Sequence, residues 1–285
     1  MCWRNLVVAG FGPGHIITLD AVTGVHISIL SGHTDCVGSI VFSSDGTFLV
    51  SGSYDRTVKL WDFQTGGVVK TFYGHNNEVF SVSISVDHTV VASGSSDHTI
   101  HLWNTQTGEC YHIIDKYNSL VTSVSFSPTI PQLLISASRN NSVQQWDING
   151  HEVGPTHDGD YIALSMDGTY TVSWRWGENT ATVQDSDSGA ITAEITHSGS
   201  ISYSTCWCIS PNSNYMACGV NSTIYVWVIT SLGSFLTKPF IGHTNDITSL
   251  TLSSSLLISS NNGSIKFWQI DTLPADPVAV DLEST

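Results

Sequence analysis

The sequence predicts an all-β chain assembled from one repeated unit, and three observations carry that prediction. Residues 51–62 and 93–104 repeat one phrase, and a Gly-His pair precedes each copy, at Gly32 and Gly74. Apolar residues alternate with Ser in segments such as 79–84, which is the pattern of half-buried strands. The chain has 24 Gly and 8 Pro, a balance that suits tight turns between short strands.

The end of the repeated phrase recurs along nearly the whole chain. Trp61 and Trp103 close the two clearest copies, and further Trp residues follow at similar spacing. A worn copy has Gln184 in the Trp position, and another near the start has Leu19 there. Recurrence of a unit of this length is typical of radial repeat folds. The predicted signature strands are seven, at Leu19, Trp61, Trp103, Trp146, Gln184, Trp227 and Trp268.

A Gly-His start and a Trp-Asp end, spaced as in residues 32–62, resemble the WD40 repeat. The resemblance implies a seven-bladed WD40 β-propeller whose blades are four-stranded antiparallel sheets. It also implies a single domain over residues 1–285, with 271–285 as a closing strand or a flexible tail. The phrase is similar to C-terminal WD repeats of fungal proteins with a NACHT nucleotide-binding module, which suggests an origin in such a protein.

Closure of the predicted ring leaves three alternatives open. The chain begins with the second strand of a blade at residues 6–10, so the first blade lacks an inner strand. The last unit supplies three strands, and residues 274–282 would have to supply its fourth. Either the tail also completes the first blade, or that blade is incomplete, or the sequence is a piece of a longer protein.

The resemblance implies a polar network inside each complete unit. A His would join a turn Asp to a Ser, and the Ser would extend the network to the Trp indole, so that buried polar groups are paired. A His, a Ser and an Asp together also suggest a hydrolase triad. Repetition of the set favours a structural role, and no catalytic residue is predicted. The predicted members are His33, Ser51, Asp55 and Trp61, and then His75, Ser93, Asp97 and Trp103.

The network is predicted to weaken along the chain. The third complete unit has Tyr117 in the His position and Asn140 in the Asp position, and the fourth has Gln184 in the Trp position. Because charge-assisted hydrogen bonds are about twice as strong as neutral ones, these units should be held less firmly by this device. In the sequence before Gln184, one indole of the pair Trp174 and Trp176 is expected to face the core. The other is expected to cover the space left by Gln184, and the alternative is an exposed binding anchor beside Arg175.

The resemblance also implies a binding face, because WD40 propellers usually bind peptides or proteins over the loops that precede the inner strands. The predicted function is a non-catalytic protein-interaction scaffold or sensing module, and the alternative is a propeller that binds a small ligand or a carbohydrate. Aromatic and Arg side chains carry most of the energy at interfaces. The preferred contacts are Tyr54, Phe80, Arg139 and Tyr203, with the rim carboxylates Glu78 and Asp246.

The net charge and the spacing of the Cys residues restrict the classes of partner and cofactor that we expect. The formal net charge is −15, and no basic patch is visible, which argues against nucleic acid and anionic membrane as partners. Scattered carboxylates favour a protein or peptide partner with basic residues. The six Cys have no metal-site spacing, so no metal or cofactor is predicted. Unpaired thiols predict a cytoplasmic protein, and the oligomeric state stays open.

Overall fold

The fold is built only from β-strands in the part of the chain that can be described. The computed structural model describes the whole chain except residues 1, 4–5, 12, 21–22, 155, 166–167, 176, 187, 197–205, 211–212, 231–232, 237–238, 253–255, 262–263, 271–278 and 282–285. In those described residues the strands form seven antiparallel sheets. No helix among them is long and apolar enough to cross a membrane. The prediction of an all-β chain of seven blades is confirmed.

The first four sheets follow one another along the chain. Sheets one, two and three each have four strands in sequence order, and the fourth has three. Two isolated antiparallel bridges, Val143 to His157 and Trp146 to Glu152, lie along the outer edge of the fourth sheet. The strands are β1 (Cys2–Trp3), β2 (Leu6–Phe11), β3 (His15–Asp20) and β4 (His26–Ser31); β5 (Val37–Phe42), β6 (Phe48–Ser53), β7 (Val58–Asp62) and β8 (Val68–Phe72); β9 (Val79–Ile84), β10 (Val90–Ser95), β11 (Ile100–Asn104) and β12 (Cys110–Ile114); and β13 (Val121–Phe126), β14 (Leu134–Ser138) and β15 (Ser142–Trp146).

The last three sheets repeat the same order. In the sixth sheet, β23 and β24 both pair with β22, so two short strands occupy the place of one outer strand. The strands are β16 (Tyr161–Leu164), β17 (Tyr170–Trp174), β18 (Thr180–Asp185) and β19 (Ile191–Thr196); β20 (Cys206–Ile209), β21 (Tyr215–Val220), β22 (Thr223–Thr230), β23 (Gly233–Leu236) and β24 (Phe240–Ile241); and β25 (Ile247–Leu252), β26 (Leu256–Asn261), β27 (Ser264–Gln269) and β28 (Ala279–Asp281).

The structure shows which segments supply the missing strands of the first and seventh sheets. The expectation that the first blade lacks an inner strand is wrong, because Cys2 and Trp3 pair with Val7 and Leu6 as a short antiparallel strand. In the seventh sheet, Ala279–Asp281 pairs with β27 and supplies the fourth strand. Each end sheet therefore draws four strands from its own neighbourhood in the sequence.

The chain divides into two compact units, residues 1–162 and residues 163–285. In the first unit, neighbouring sheets are joined through their inner strands by serine hydroxyls. Ser39 Oγ accepts the Val82 amide at 3.2 Å, and Ser81 Oγ accepts the Val124 amide at 3.0 Å. An edge strand presents unpaired amides, and a hydroxyl from the next sheet satisfies them. The alternation of Ser with apolar residues thus serves contact between sheets as well as strand formation.

The cores of the second, third, fourth and seventh sheets each contain a buried signature Trp. Trp61, Trp103, Trp146 and Trp268 are each at most 1% exposed. Burial of an indole removes a large apolar surface from water, while its N–H still requires an acceptor. The sheets approach closely because small residues face the next sheet: a Cβ on Gly94 would lie 2.6 Å from Cγ1 of Val121. This close packing fixes the sheet ends, where the candidate site lies.

Candidate functional site

The second and third sheets contain the hydrogen bonds that the sequence predicted. In the third sheet, His75 Nδ1 lies 2.8 Å from Asp97 Oδ2, and His75 Nε2 lies 2.7 Å from Ser93 Oγ. The Trp103 indole N–H donates to the same Ser93 Oγ at 2.8 Å. A carboxylate can only accept, so the imidazole donates from Nδ1, and the Ser93 hydroxyl donates to Nε2. Each polar atom of this chain of residues is thereby paired.

The second sheet repeats this geometry to within 0.1 Å. His33 Nδ1 lies 2.8 Å from Asp55 Oδ2, His33 Nε2 lies 2.7 Å from Ser51 Oγ, and the Trp61 indole donates to Ser51 Oγ at 2.8 Å. The Thr57 hydroxyl and amide both donate to Asp55 Oδ1. The two networks are copies of one structural solution.

The electrostatics favour an ionised Asp in both networks and a neutral His33 in the second sheet. Burial raises the pKa of Asp97, but hydrogen bonds from His75, Thr99 and the Asn76 amide outweigh it and hold that pKa well below its usual range. Asp55 follows the same logic, and its pKa is also lowered. Burial is the main cause that lowers the pKa of His33. An ionised acceptor strengthens the hydrogen bonds it receives.

The networks are poorly arranged for hydrolysis. Ser51 and Ser93 have no exposed surface, and each hydroxyl accepts a Trp indole N–H. A nucleophile must reach the substrate, and these oxygens lie inside the sheet. The hypothesis that His33, His75 and His243 are structural rests on this burial and on the repetition of the set.

Other sheets keep parts of the network with different residues. In the fourth sheet the Tyr117 hydroxyl lies 2.7 Å from Ser136 Oγ, which also accepts the Trp146 indole at 2.7 Å. Tyr117 therefore supplies the hydrogen bond to the Ser that the sequence assigned to the missing His. In the seventh sheet, His243 Nε2 lies 2.6 Å from Ser259 Oγ. The fourth and seventh sheets thus keep the hydrogen bonds to the network Ser.

The fifth sheet has lost the network. The register of β17 and β18 pairs Thr171 with Gln184, so Ser173 occupies the position of the network serine. Ser173 Oγ is buried and has no hydrogen-bond partner among the described residues. At the end of the same strand, Trp174 is 6% exposed, and its ring centroid lies 6.2 Å from that of Trp207. The second indole of the expected pair, Trp176, lies outside the described residues.

A separate cluster forms where the turns of the first unit meet the loops before the inner strands. Three equivalent backbone hydrogen bonds fix this cluster. The amides of Tyr54, Ser96 and Arg139 donate to the carbonyls of Cys36, Glu78 and Leu120, respectively. Equivalent positions in successive sheets lie at the same end of those sheets. The backbone therefore places Tyr54, Glu78 and Arg139 at one end of the first unit.

Two of the predicted contact residues touch each other. The rings of Tyr54 and Phe80 lie edge to face, with centroids 5.4 Å apart, although they belong to different sheets. Tyr54 is 38% exposed. Its ring lies over the inner strand of its own sheet because Gly38 has no side chain: a Cβ there would be 3.1 Å from Cε1 of Tyr54. The two rings form a partly exposed aromatic surface.

Two acidic groups, Asp35 and Glu78, lie near this aromatic surface. Hydrogen bonding from Ser96, whose hydroxyl donates to Glu78 Oε2 at 2.6 Å, lowers the pKa of Glu78. Burial, with the nearby Cys36, Glu78 and Asp35, raises the pKa of Tyr54. The phenol stays neutral and the carboxylate ionised at pH 7. The surface is therefore aromatic with negative charge at its edge, which suits a cationic group.

Sequence reasoning missed one residue of this cluster, Tyr161. Burial, reinforced by Asp160 and Tyr54 and opposed by Arg139, raises the pKa of Tyr161 to about 12. Tyr161 directly precedes Ile162, whose amide donates to Ser123 Oγ, so it falls where earlier inner strands have an inter-sheet serine. A break in the serine repeat was the signal that could have identified it. Arg139, itself exposed, is within electrostatic range of Tyr161.

The remaining two predicted contacts, Tyr203 and Asp246, are not among the described residues of the first unit. Tyr203 lies outside the described residues. Asp246 belongs to the second unit, where it is exposed and immediately precedes Ile247, whose amide donates to the Asn221 carbonyl at 2.7 Å. The structure thus brings together Tyr54 and Phe80, and places Glu78 and Arg139 at the same end of the first unit. The binding roles of all six residues stay predictions.

Comparison with known proteins identifies the repeat. A family model for the WD domain, G-beta repeat, matches residues 24–62, 66–104, 108–147, 191–228 and 233–269. The matched ranges leave out residues 148–190, which include the first three strands of the sheet with Gln184.

Short stretches of the chain are similar to three named proteins. Protein Mut11 of Chlamydomonas reinhardtii is 62% identical over 37 residues, which are 13% of this chain and 10% of that protein. Guanine nucleotide-binding protein subunit beta-5b of Danio rerio is 37% identical over 57 residues, 20% of this chain and 14% of that protein. Cross-pathway control WD-repeat protein 2 of Flammulina velutipes is 53% identical over 38 residues, 13% of this chain and 12% of that protein. The matches therefore span a small part of each relative.

Proposed function

Because this chain belongs to the WD40-repeat family, whose propellers generally serve as protein-interaction scaffolds and are generally not enzymes, we propose that it is a non-catalytic interaction module. Its partner is a protein or peptide segment with Lys or Arg. The observation that carries this proposal is the aromatic pair of Tyr54 and Phe80, 5.4 Å apart, with Glu78 nearby.

The chemistry of that pair accounts for the choice of a cationic partner. A guanidinium or ammonium group over an aromatic face gains about 0.5–2 kcal/mol, more when water is displaced. A carboxylate at the edge of the surface adds attraction that salt screens. The chain has 9 Lys and Arg against 24 Asp and Glu, and two of these cations, Arg56 near Glu78 and Arg139 near Tyr161, lie at the same end of the first unit.

An array of extended peptides tests the proposal, with matched members that carry Lys, Arg or Gln at the central position. The expected result is selective binding of Lys or Arg peptides that weakens as ionic strength rises. Phe80→Ala should weaken binding more than Glu78→Gln, because aromatic anchors carry more energy than exposed rim charges. Tyr203→Ala is predicted to behave like Phe80→Ala.

The matched control is Ile113→Ala, which shortens an apolar side chain that is 50% exposed on the outer strand β12. This variant should bind like the wild type. Equal binding by Phe80→Ala and wild type would contradict the site. A glycan array run beside it would favour the carbohydrate-binding alternative if it gave signals where the peptides gave none.

As part of the same proposal, the protein is cytoplasmic and originates from a fungal NACHT-type protein. Cys36, Cys110, Cys206, Cys208 and Cys218 form no disulfide, which supports a reducing compartment such as the cytoplasm. A net charge of −15 supports the exclusion of nucleic acid and anionic membrane, and gel-shift and vesicle sedimentation assays test both. A NACHT-type module in the reading frame upstream would support the fungal origin, and its absence there would contradict it.

A further inference from the structure

The third sheet contains a buried imidazole that its polar network does not use. His101, on β11, is 5% exposed, and its ring stacks on that of His75 with centroids 3.9 Å apart. The nitrogen His101 Nδ1 is buried and has no hydrogen-bond partner among the described residues. One donor atom each from His75, Asp97 and His101 lie within 4.8 Å of one another. An unpaired buried nitrogen costs free energy unless something binds it.

The second sheet shows that the network does not need this imidazole. The pairing of β6 with β7 and of β10 with β11 places Lys59 where the third sheet has His101. The Lys59 ammonium donates to Thr71 Oγ1 at 3.0 Å. The residue opposite His101 on the outer strand is Ile113, which has no side-chain polar group. The same His–Asp–Ser–Trp network is thus complete in the second sheet without a second His.

We propose that His75, Asp97 and His101 form a three-ligand site for a divalent transition-metal ion of the Zn²⁺ type. Two imidazole nitrogens and one carboxylate oxygen are a ligand set that such ions prefer, with a water molecule as fourth ligand. The 2.8 Å between His75 Nδ1 and Asp97 Oδ2 is a hydrogen-bond distance. When an ion replaces the shared proton, the pair opens toward the separation of about 3.3 Å that follows from tetrahedral ligands at about 2.0 Å.

Metal binding requires two local changes and reuses the existing network. His75 changes tautomer, so that its Nδ1 proton leaves to solvent while Nε2 takes up a proton from solvent and the imidazole stays neutral. The His101 ring turns out of the stack so that its lone pair points at the ion. With Nδ1 on the metal, His75 Nε2–H donates to Ser93 Oγ, already 2.7 Å away, which is the usual outer partner of a metal-bound His. Thr99 donates to the second carboxylate oxygen of Asp97 from its amide and its hydroxyl, and so orients this ligand.

The ligands are far apart in the sequence, so spacing alone gave no metal motif. His75 precedes the inner strand, Asp97 lies at the turn after β10, and His101 lies on β11. Only the pairing of strands brings them together. The expectation of no metal from sequence spacing would therefore be revised for this one sheet.

Calorimetric titration of the metal-stripped protein with Zn²⁺ tests the site, and Co²⁺ gives a spectroscopic readout because a four-coordinate site with nitrogen ligands absorbs visible light. His101→Lys combined with Ile113→Thr copies the Lys59–Thr71 pair of the natural second sheet, so this variant should fold and should bind one ion fewer than the wild type. Lys59→His builds the same three ligands beside His33 and Asp55, so it should bind one ion more. Circular dichroism melts without metal confirm that each variant is folded.

Several results would overturn the proposal. A wild-type protein that binds no Zn²⁺ excludes the site. Equal stoichiometry in the wild type and the folded double variant with His101→Lys and Ile113→Thr shows that any bound ion lies elsewhere. Unchanged stoichiometry in folded Lys59→His would show that this ligand geometry does not suffice for binding. Exposed ion pairs such as His151 with Asp147 add the same background to every variant, so only the differences count.

Discussion

The third and fifth sheets share one strand order but differ in what fills their interior. In the third sheet, Trp103 is 1% exposed on the third strand and anchors a hydrogen-bonded chain of polar residues. In the fifth sheet, Gln184 takes that position, and an indole, Trp174, appears at the end of the second strand instead. In the third sheet, Gly94 occupies the place of Trp174.

This difference shows that apolar volume can move within a blade while the backbone pattern stays the same. The fifth sheet keeps an indole that is 6% exposed, yet it leaves Ser173 Oγ without a partner among the described residues. Packing is tolerant of position as long as the space is filled. A hydrogen-bond network is not tolerant in this way, because each member needs its partner at a fixed distance.

The largest expected effect contrasts the two residues at the signature position. Trp103→Ala should lower the free energy of unfolding by about 3–5 kcal/mol, because it empties a large buried volume and leaves Ser93 and His75 with a broken network. Gln184→Ala should cost clearly less, and Trp174→Ala should cost more than Gln184→Ala. Denaturant melts give these values, and a greater loss for Gln184 than for Trp174 would contradict the proposed transfer of packing.

The next effect concerns the charged acceptor of the network. Asp97→Ala should destabilise the protein by about 1–3 kcal/mol, because the His75 ring and the turn amides lose their acceptor. Asn140→Ala should cost less, because an exposed neutral side chain is removed in a sheet where Tyr117 replaces the His. Thermal melts in the presence of a chelator provide the comparison, and equal losses would refute the ranking.

A smaller effect separates the two network serines. Ser93→Ala should cost about 1–2 kcal/mol, because the Trp103 indole and the His75 ring both lose a partner. Ser173→Ala should be nearly neutral, since its hydroxyl has no hydrogen-bond partner among the described residues. Both changes remove only one oxygen, so each serves as the control for the other. A marked loss for Ser173→Ala would show that its hydroxyl has a partner.

The smallest effect is expected in acid. The hydrogen bonds to Asp55 lower its pKa from the usual 3.8, so the unfolded chain takes up a proton at this group before the folded protein does. The stabilisation is present above about pH 3.8 and is lost as the pH falls through the lower folded value. Asp55→Asn should flatten this part of the stability curve below pH 4. Parallel curves of unfolding free energy against pH for the variant and the wild type would show that Asp55 does not contribute to this pH dependence.

The repeat allowed much of the site to be inferred from the order of residues along the chain. Alignment by period placed Tyr54 and Phe80 at equivalent ends of neighbouring units, and their rings do meet at 5.4 Å. It did not reveal Tyr161, because a single Tyr in a serine position has no meaning until the inner strands are side by side. The alignment also treated Tyr117 as a residue that breaks the polar network, although the Tyr117 hydroxyl lies 2.7 Å from Ser136 Oγ.

The sequence by itself determined the fold class and the polar pairs that recur with the repeat, since period, alternation and turn residues are local properties of the chain. Only the tertiary structure decided how worn positions are compensated and which side chains from different strands meet. Trp174, Tyr161 and the stacked pair of His75 and His101 all depend on register and on close approach between sheets or strands. Those contacts join residues that no spacing rule connects, because packing selects them by shape and unpaired hydrogen-bonding groups.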